Sequence, residues 1–150
     1  MTLPPLSSET IHASTVSIDG RAVMIMGRSG SGKSDLALRL IDRGAFLVSD
    51  DYTLLQRDND RLIATAPPTI LGKIEVRGIG IVRMPPLAEA VVKLLITLDD
   101  PVGRLPDETI PTRRFAGIDV PVIAVAPFEA SAPIKVELAL REFGSGARHS

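Results

Sequence analysis

Residues 27–34 read "GRSGSGKS", and this stretch decides the fold. Gly27, Gly32, Lys33 and Ser34 fill the fixed positions of G-x-x-x-x-G-K-[ST]. The glycines let the backbone turn with its N–H groups pointing inward, so that Gly27, Arg28, Ser29, Gly30, Ser31, Gly32, Lys33 and Ser34 form an anion nest. A helix after the loop adds its positive N-terminal end. Lys33 brings a mobile charge to the terminal phosphates, and the Ser34 hydroxyl is a ligand for Mg²⁺. The flanks agree with this reading. The apolar run "RAVMIM" before the loop predicts a buried strand. "KSDLALRLIDRG" after it places Leu36, Leu38, Leu40 and Ile41 at helical offsets, with Gly44 at the C-cap. A Gly/Ser linker matching the pattern by chance has no reason to sit between a strand and a helix. The stretch predicts binding of a nucleoside triphosphate or another polyphosphate. With no N-K-x-D segment to read guanine, ATP is the default.

The remaining composition narrows the class. A chain of 150 residues with 45% hydrophobic content fits one domain with a packed core. The net charge of −1 gives no electrostatic reason for nucleic acid or an anionic membrane. One Tyr and four Phe make a poor platform for single strands. The absence of cysteine excludes disulfides and thiolate metal sites. No apolar run reaches the ~20 residues of a membrane span, and "MTLPPLSSET" is unlike a signal peptide. A cytoplasmic protein is expected, with an N-terminal arm over 1–9, a catalytic domain over 10–143 and a mobile tail over 144–150 that includes His149.

Other segments read as follows. "IHASTVSI" predicts a strand, with Asp19-Gly20 as a hairpin turn into "RAVMIM". "AFLVSDD" is a buried strand ending in two acids. "YTLLQR", "DND" and "RLIATA" form a hairpin. "TILGKIEVRGIGIVRM" predicts short strands with bends at Gly72, Gly78 and Gly80. "AVVKLLITL" is a strand, "PVGRLPDETIPTRR" a Pro-broken loop, and "IDVPVIAVAP" a strand. "SAPIKVELALREFG" is a helix with Ser131 as N-cap and Pro133 in its first turn.

Asp50 and Asp51 end the strand that follows the phosphate-loop helix. A right-handed crossover lays that strand parallel to "VMIM" and brings both acids to the phosphate-loop edge. There they can divide labour, one holding Mg²⁺ and one taking a proton from an attacking hydroxyl, in either assignment. On local evidence His12 reads as a surface histidine near a strand start, although a hairpin would set it opposite the strand that enters the loop.

"GRSGSGKS", "LVSDD" and "GKIEVRGIGIV", in this order and spacing, resemble the catalytic domain of the HPr kinase/phosphorylase family over residues 10–126 or so. The resemblance implies an α/β P-loop fold, PEP carboxykinase-like, with a mixed central sheet. It implies a serine kinase acting on HPr or an HPr-like phosphocarrier with ATP or pyrophosphate and Mg²⁺. It also implies the reverse reaction, in which inorganic phosphate attacks the phosphoserine and releases pyrophosphate. A homo-oligomer, commonly a hexamer, goes with it. The resemblance points to Asp51, over Asp50, as general base or acid, and turns His12 into a site residue. It makes Ser34, Asp50 and Glu75 the metal candidates and Glu75 and Arg77 the charged pair of the signature. Arg113 or Arg114 stands where the family carries a basic residue near the phosphates, and Arg114 is taken as the catalytic candidate. Where the family has a basic Pro-Gly run after its last core strand, this chain has "APFEASAP", and it begins almost at the catalytic domain. Two other readings are a small-molecule kinase of the same fold and a nucleotide-sensing regulator without transfer activity.

Overall fold

The Asp19-Gly20 pair folds the chain back on itself, with φ of 51° and 79°, as a two-residue hairpin with this twist requires. The computed structural model describes residues 8–106 and 108–144. In chain order the elements are β1 (Ser8–Ile11), β2 (Ser14–Ile18), β3 (Arg21–Met26), α1 (Lys33–Asp42), β4 (Phe46–Ser49), β5 (Thr53–Asp58), β6 (Arg61–Thr65), β7 (Lys73–Val76), β8 (Gly80–Arg83), β9 (Glu89–Thr97), β10 (Thr112–Phe115), β11 (Ile118–Ala124) and α2 (Ala132–Phe143).

A mixed sheet runs β1-β5-β6-β9-β3-β2-β4, with β11 also on β9 and β10 on β11. The nine residues of β9 are shared along one edge: Glu89–Val91 pair with β6, and Leu95–Thr97 pair with β11. β3 and β11 both run parallel to β9. β4 runs the same way as β3, because each is antiparallel to the β2 strand between them. The carboxyl ends of β3, β4, β9 and β11 therefore share one edge, where open α/β sheets bind their ligands.

Side-chain alternation gives each strand two apolar faces. Val23 and Ile25 face Leu36 and Leu40 of α1 and Val136 and Leu140 of α2 in one core. Ala22 and Met24 face the opposite way, into a second core with Leu55, Leu62, Phe115 and Val120. Both helices thus cover one face, and the curled sheet covers the other. Burying each such Leu or Val contributes about 1.5–3 kcal/mol, and this rather than helix propensity fixes α1 behind the phosphate loop. α1 ends with Arg43 as its C-cap, one residue before the glycine expected there, and Gly44, at φ 110°, donates its amide to Ile41 O.

Four other expectations change. The strand expected over 11–18 is two strands, β1 pairing with β5 and β2 with β3 and β4. The arm expected over 1–9 loses Ser8 and Glu9 to β1, and the tail from 145 onward, His149 included, lies outside the described residues. Residues 112–114, expected in a loop, are strand β10 because they pair with Asp119–Pro121. Ser131 occupies the N-cap of α2, but its hydroxyl makes no capping bond.

The break between β1 and β2 has a partner. Ile11 pairs with Thr53 and Thr15 pairs with Ser49, so the three residues between on one side match three on the other with no slip across the gap. Residues 8–18 and 46–58 are therefore one long antiparallel ribbon. Its ladder opens at residues 12–14 opposite 50–52 and shifts by one residue between Thr15 and Val16. Among the described residues no helix is long and apolar enough to cross a membrane.

Candidate active site

The phosphate loop joins β3 to α1, and Lys33 is the first residue of the helix. Gly27 has no room for a side chain: a Cβ there would lie 3.2 Å from the Leu98 Cβ and run into Ser31. Lys33 is buried, and its Nζ curls back to donate to Gly27 O (2.9 Å) and Arg28 O (3.2 Å). The Ser31 hydroxyl is buried with no hydrogen-bond partner among the described residues. Asp99, at the carboxyl end of β9, accepts the Arg28 amide at 2.7 Å and lies 3.6 Å from the Arg28 Nε.

The two acids occupy the opening in the ribbon and have different surroundings. Asp50 is 6% exposed and accepts three bonds: Ser34 Oγ at 2.6 Å, Ser14 Oγ at 2.8 Å and the Glu75 amide at 3.1 Å. Asp51 has a side chain 52% exposed and meets His12 Nε2 at 2.6 Å. The Asp51 backbone sits at φ 68°, and the Tyr52 amide reaches back over it to Asp50 O at 2.7 Å. This γ-turn breaks the ladder and turns the acids to different environments; such a backbone is held at a cost of about 1–3 kcal/mol. Ser14 also accepts the Asp51 amide at 3.1 Å, so one hydroxyl bridges both acids. The His12 ring stacks on Tyr52, with centroids 5.2 Å apart.

The β7–β8 hairpin closes the site from above. Ile74 is fully buried in the α1 core, and that anchor delivers the Glu75 amide to Asp50. Glu75 and Arg77 then line a cleft of about 580 Å³ with Lys33, Ser34, Asp50 and Asp51. A second hollow, about 490 Å³, lies at the opposite strand ends around Gly20 and Glu89, away from the loop.

Ser34 and Asp50 fit a hard cation. Their oxygens are adjacent, and the Ser34 hydroxyl donates its hydrogen bond to Asp50, which leaves the lone pairs of Ser34 Oγ free. No cluster of three His, Cys, Asp or Glu exists among the described residues, so phosphate oxygens and water would complete the shell. Glu75 lines the same cleft, but what meets Asp50 is its main-chain amide, not its carboxylate.

Arg114 is elsewhere. It pairs with Asp119 at 2.9 Å across the β10–β11 hairpin, and this hydrogen bond holds the Asp119 carboxyl below the usual carboxylate range. Neighbouring residues of a strand face opposite ways, so Arg113 points to the other side. Its Nη1 lies 3.4 Å from the sulfur of Met26, the residue before the loop. Of the two, Arg113 is the one whose side chain reaches the entry to the loop, while Arg114, the candidate from sequence, is held on Asp119.

Sequence reasoning missed Ser14, Asp99 and Phe128. Asp99 was findable, since "LLITLDD" repeats the strand-then-acids pattern of "LVSDD". Ser14 carries no local signal. Phe128, on the loop after β11, lines the cleft and is 74% exposed.

A family model described as HPr Serine kinase C-terminal domain matches residues 6–90. The HPr kinase/phosphorylase of Levilactobacillus brevis is 35% identical over 130 residues, covering 78% of this chain and 42% of that protein. HPr kinase/phosphorylase 1 of Oceanobacillus iheyensis is 48% identical over 75 residues, 49% of this chain and 24% of that one. The solved structure of the Hpr(Ser) kinase/phosphatase from Coxiella burnetii has a TM-score of 0.78 and 34% identity, over 89% of each chain. The chain spans less than half the length of these two curated relatives. It shares the fold of the Coxiella protein, an α/β fold with a mixed, curled sheet.

Proposed function

The chain belongs to the HPr serine kinase C-terminal domain family, and on that premise we propose that it is a bifunctional serine kinase/phosphorylase. It phosphorylates one serine of an HPr-like phosphocarrier with ATP or pyrophosphate, and removes that phosphate by phosphorolysis. The observation that carries this reading is the division of the acid pair: Asp50 buried on Ser34 of the phosphate loop, Asp51 exposed on His12.

In the forward direction the acceptor serine Oγ attacks the γ-phosphorus. The new Oγ–P bond forms as the bond to the β,γ-bridging oxygen breaks, and ADP leaves. Asp51 accepts the serine proton, and His12, hydrogen-bonded to that carboxylate, orients it. Lys33 and the loop amides hold the charge of the leaving phosphates. Ser34 directly, and Asp50 behind it, would hold Mg²⁺, which when bound neutralises charge on the phosphate oxygens.

In reverse, an oxygen of inorganic phosphate attacks the phosphoserine phosphorus. The Oγ–P bond breaks, the protonated Asp51 returns its proton to the serine oxygen, and pyrophosphate leaves. This step is the microscopic reverse of pyrophosphate-driven phosphorylation, so those two share a transition state and the same groups. ATP-driven transfer uses the same acid and loop with ADP in place of phosphate as leaving group. Arg113, whose guanidinium reaches Met26 before the loop, would be a further cation for the incoming phosphate, beside Arg77 of the cleft lining.

A protein acceptor is favoured over a small molecule by exposure. Asp51 and His12 lie half-open at the rim, with side chains 52% and 43% exposed, where a protein loop can present a serine. The cytoplasmic location expected from the sequence belongs to the same proposal. So does a homo-oligomer, supported by the resemblance and by Ile134 and Leu138, exposed one turn apart on α2. Incubation of the chain with ATP, Mg²⁺ and a purified HPr-like protein tests the reading: one phosphoserine is expected on the carrier, and an unmodified carrier contradicts it.

A further inference from the structure

The phosphate loop accounts for a polyphosphate but leaves the nucleoside without a partner. The charged lining of the cleft, Lys33, Asp35, Asp50, Asp51, Glu75 and Arg77, is joined by three apolar side chains, Leu38, Val76 and Phe128. Leu38 stands one helical turn beyond Ser34, so a ligand that leaves the loop along α1 passes over it.

Phe128 is 74% exposed and belongs to neither core. Its ring edge lies against Gly32 of the loop: a Cβ on Gly32 would come within 3.1 Å of both Cε1 and Cζ. Gly32 has φ 101°, so the bare glycine serves both the turn and the approach of the ring. The backbone on either side of Phe128 is pinned. The Arg39 guanidinium donates to Pro127 O and to Glu129 O, and it is held from behind by Asp35 at 3.1 Å. Lys135 fixes the Glu129 carboxylate at 2.7 Å. An aromatic ring is thus kept in solvent beside the phosphate loop by four polar side chains that do not bury it.

We infer that Phe128 is the stacking platform for the nucleobase of the phosphoryl donor, with Leu38 lining the same cleft. The inference rests on the nucleotide-driven reading above. A phenylalanine ring has no hydrogen-bonding atom to read a base edge, so the site grips a purine by its π-face and selects weakly between adenine and guanine. Pyrophosphate has no base and does not use Phe128. Phe128 therefore sets the preference between the two donors.

The chain has no tryptophan, which makes a direct test possible. Affinities of the full chain for Mg²⁺-ADP and for Mg²⁺-pyrophosphate are measured by calorimetry for the parent, Phe128→Ala and Phe128→Trp. Phe128→Ala is expected to weaken ADP by about tenfold relative to pyrophosphate, the size of one base–aromatic stack. Phe128→Trp is expected to restore ADP affinity, with indole emission quenched by ADP and not by pyrophosphate. Equal weakening of both ligands, no change in either, or identical emission with both overturns the inference. A changed subunit count with unchanged affinities also overturns it, by assigning the ring to an interface. A parent chain that binds neither ligand overturns the nucleotide-driven reading itself. Normal pyrophosphate binding with ADP indifferent to Phe128 overturns only the platform.

Discussion

His12 Nε2 and Asp51 Oδ1 lie 2.6 Å apart although 39 residues separate them in the chain. They meet because β1–β5 and β2–β4 keep one register from Ser8 to Thr15, across the opening where these two side chains emerge; the register shifts only beyond it, between Thr15 and Val16. The γ-turn at Asp51 supplies that opening and frees the carboxylate from the sheet. Asparagine also tolerates this backbone. Asp51→Asn therefore keeps the fold and loses the base. Phosphoryl transfer to the carrier is expected to fall about 100- to 10,000-fold, the usual contribution of a general base, with ADP affinity unchanged. A rate within tenfold of the parent would remove Asp51 from the chemistry.

Ser14 and Ser34 both donate to the same oxygen of Asp50, but only Ser34 belongs to the phosphate loop. Ser14→Ala takes one of three donors from a buried carboxylate, a loss of about 1–3 kcal/mol. For a chain of this size the Tm is expected to drop by about 2–12 °C. Ser34→Ala removes a donor and a cation ligand together. It is expected to weaken ADP binding in Mg²⁺ far more than in EDTA. Thermal melts and paired titrations separate the two; a Ser34→Ala loss that is the same in EDTA would contradict the metal role.

Arg113 and Arg114 offer a matched pair of neighbours. Arg113 reaches the end of β3, and Arg114 is engaged with Asp119. Arg113→Ala is expected to raise the KM for inorganic phosphate in phosphorolysis by tenfold or so, the order of one charge-assisted contact. Arg114→Ala removes an exposed ion pair, worth little in water, and should leave both directions within about twofold. The reverse ranking would make Arg114 the site residue.

Lys33 is buried in the loop, with its ammonium on two loop carbonyls. α1 is held by Leu36 and Leu40, not by this contact, so Lys33→Met is expected to fold. Its affinity for ADP and for pyrophosphate should fall together by more than about tenfold, as expected for a lost point charge on the terminal phosphates. Loss of ADP binding alone would mean that Lys33 does not touch the phosphates both ligands share.

The phosphate loop, its strand and helix, and the acids at the next strand end were legible because each depends on local pattern. Glycine spacing, an apolar run and a 3.6-residue period need no tertiary context. The placement of Asp50 beside Ser34 followed from the handedness of the crossover, even though β2 lies between β3 and β4. The partners of the acids were not legible. Ser14 reaches Asp50 and Glu75 gives its amide only because the ribbon opens at 12–14 and the β7–β8 hairpin folds down on Ile74. Which of Arg113 and Arg114 faces the loop entry depends on strand parity. That parity appears only once residues 112–115 pair with β11.

The bifunctional reading is tested most directly by phosphorolysis of the phosphorylated carrier. The chain is mixed with a phosphoserine HPr-like protein, Mg²⁺ and inorganic phosphate, and pyrophosphate is measured alongside the intact mass of the carrier. The account predicts pyrophosphate and dephosphorylated carrier in equal amounts, both abolished by Asp51→Asn. Carrier that keeps its phosphate, from a preparation that phosphorylates it normally with ATP, would contradict it.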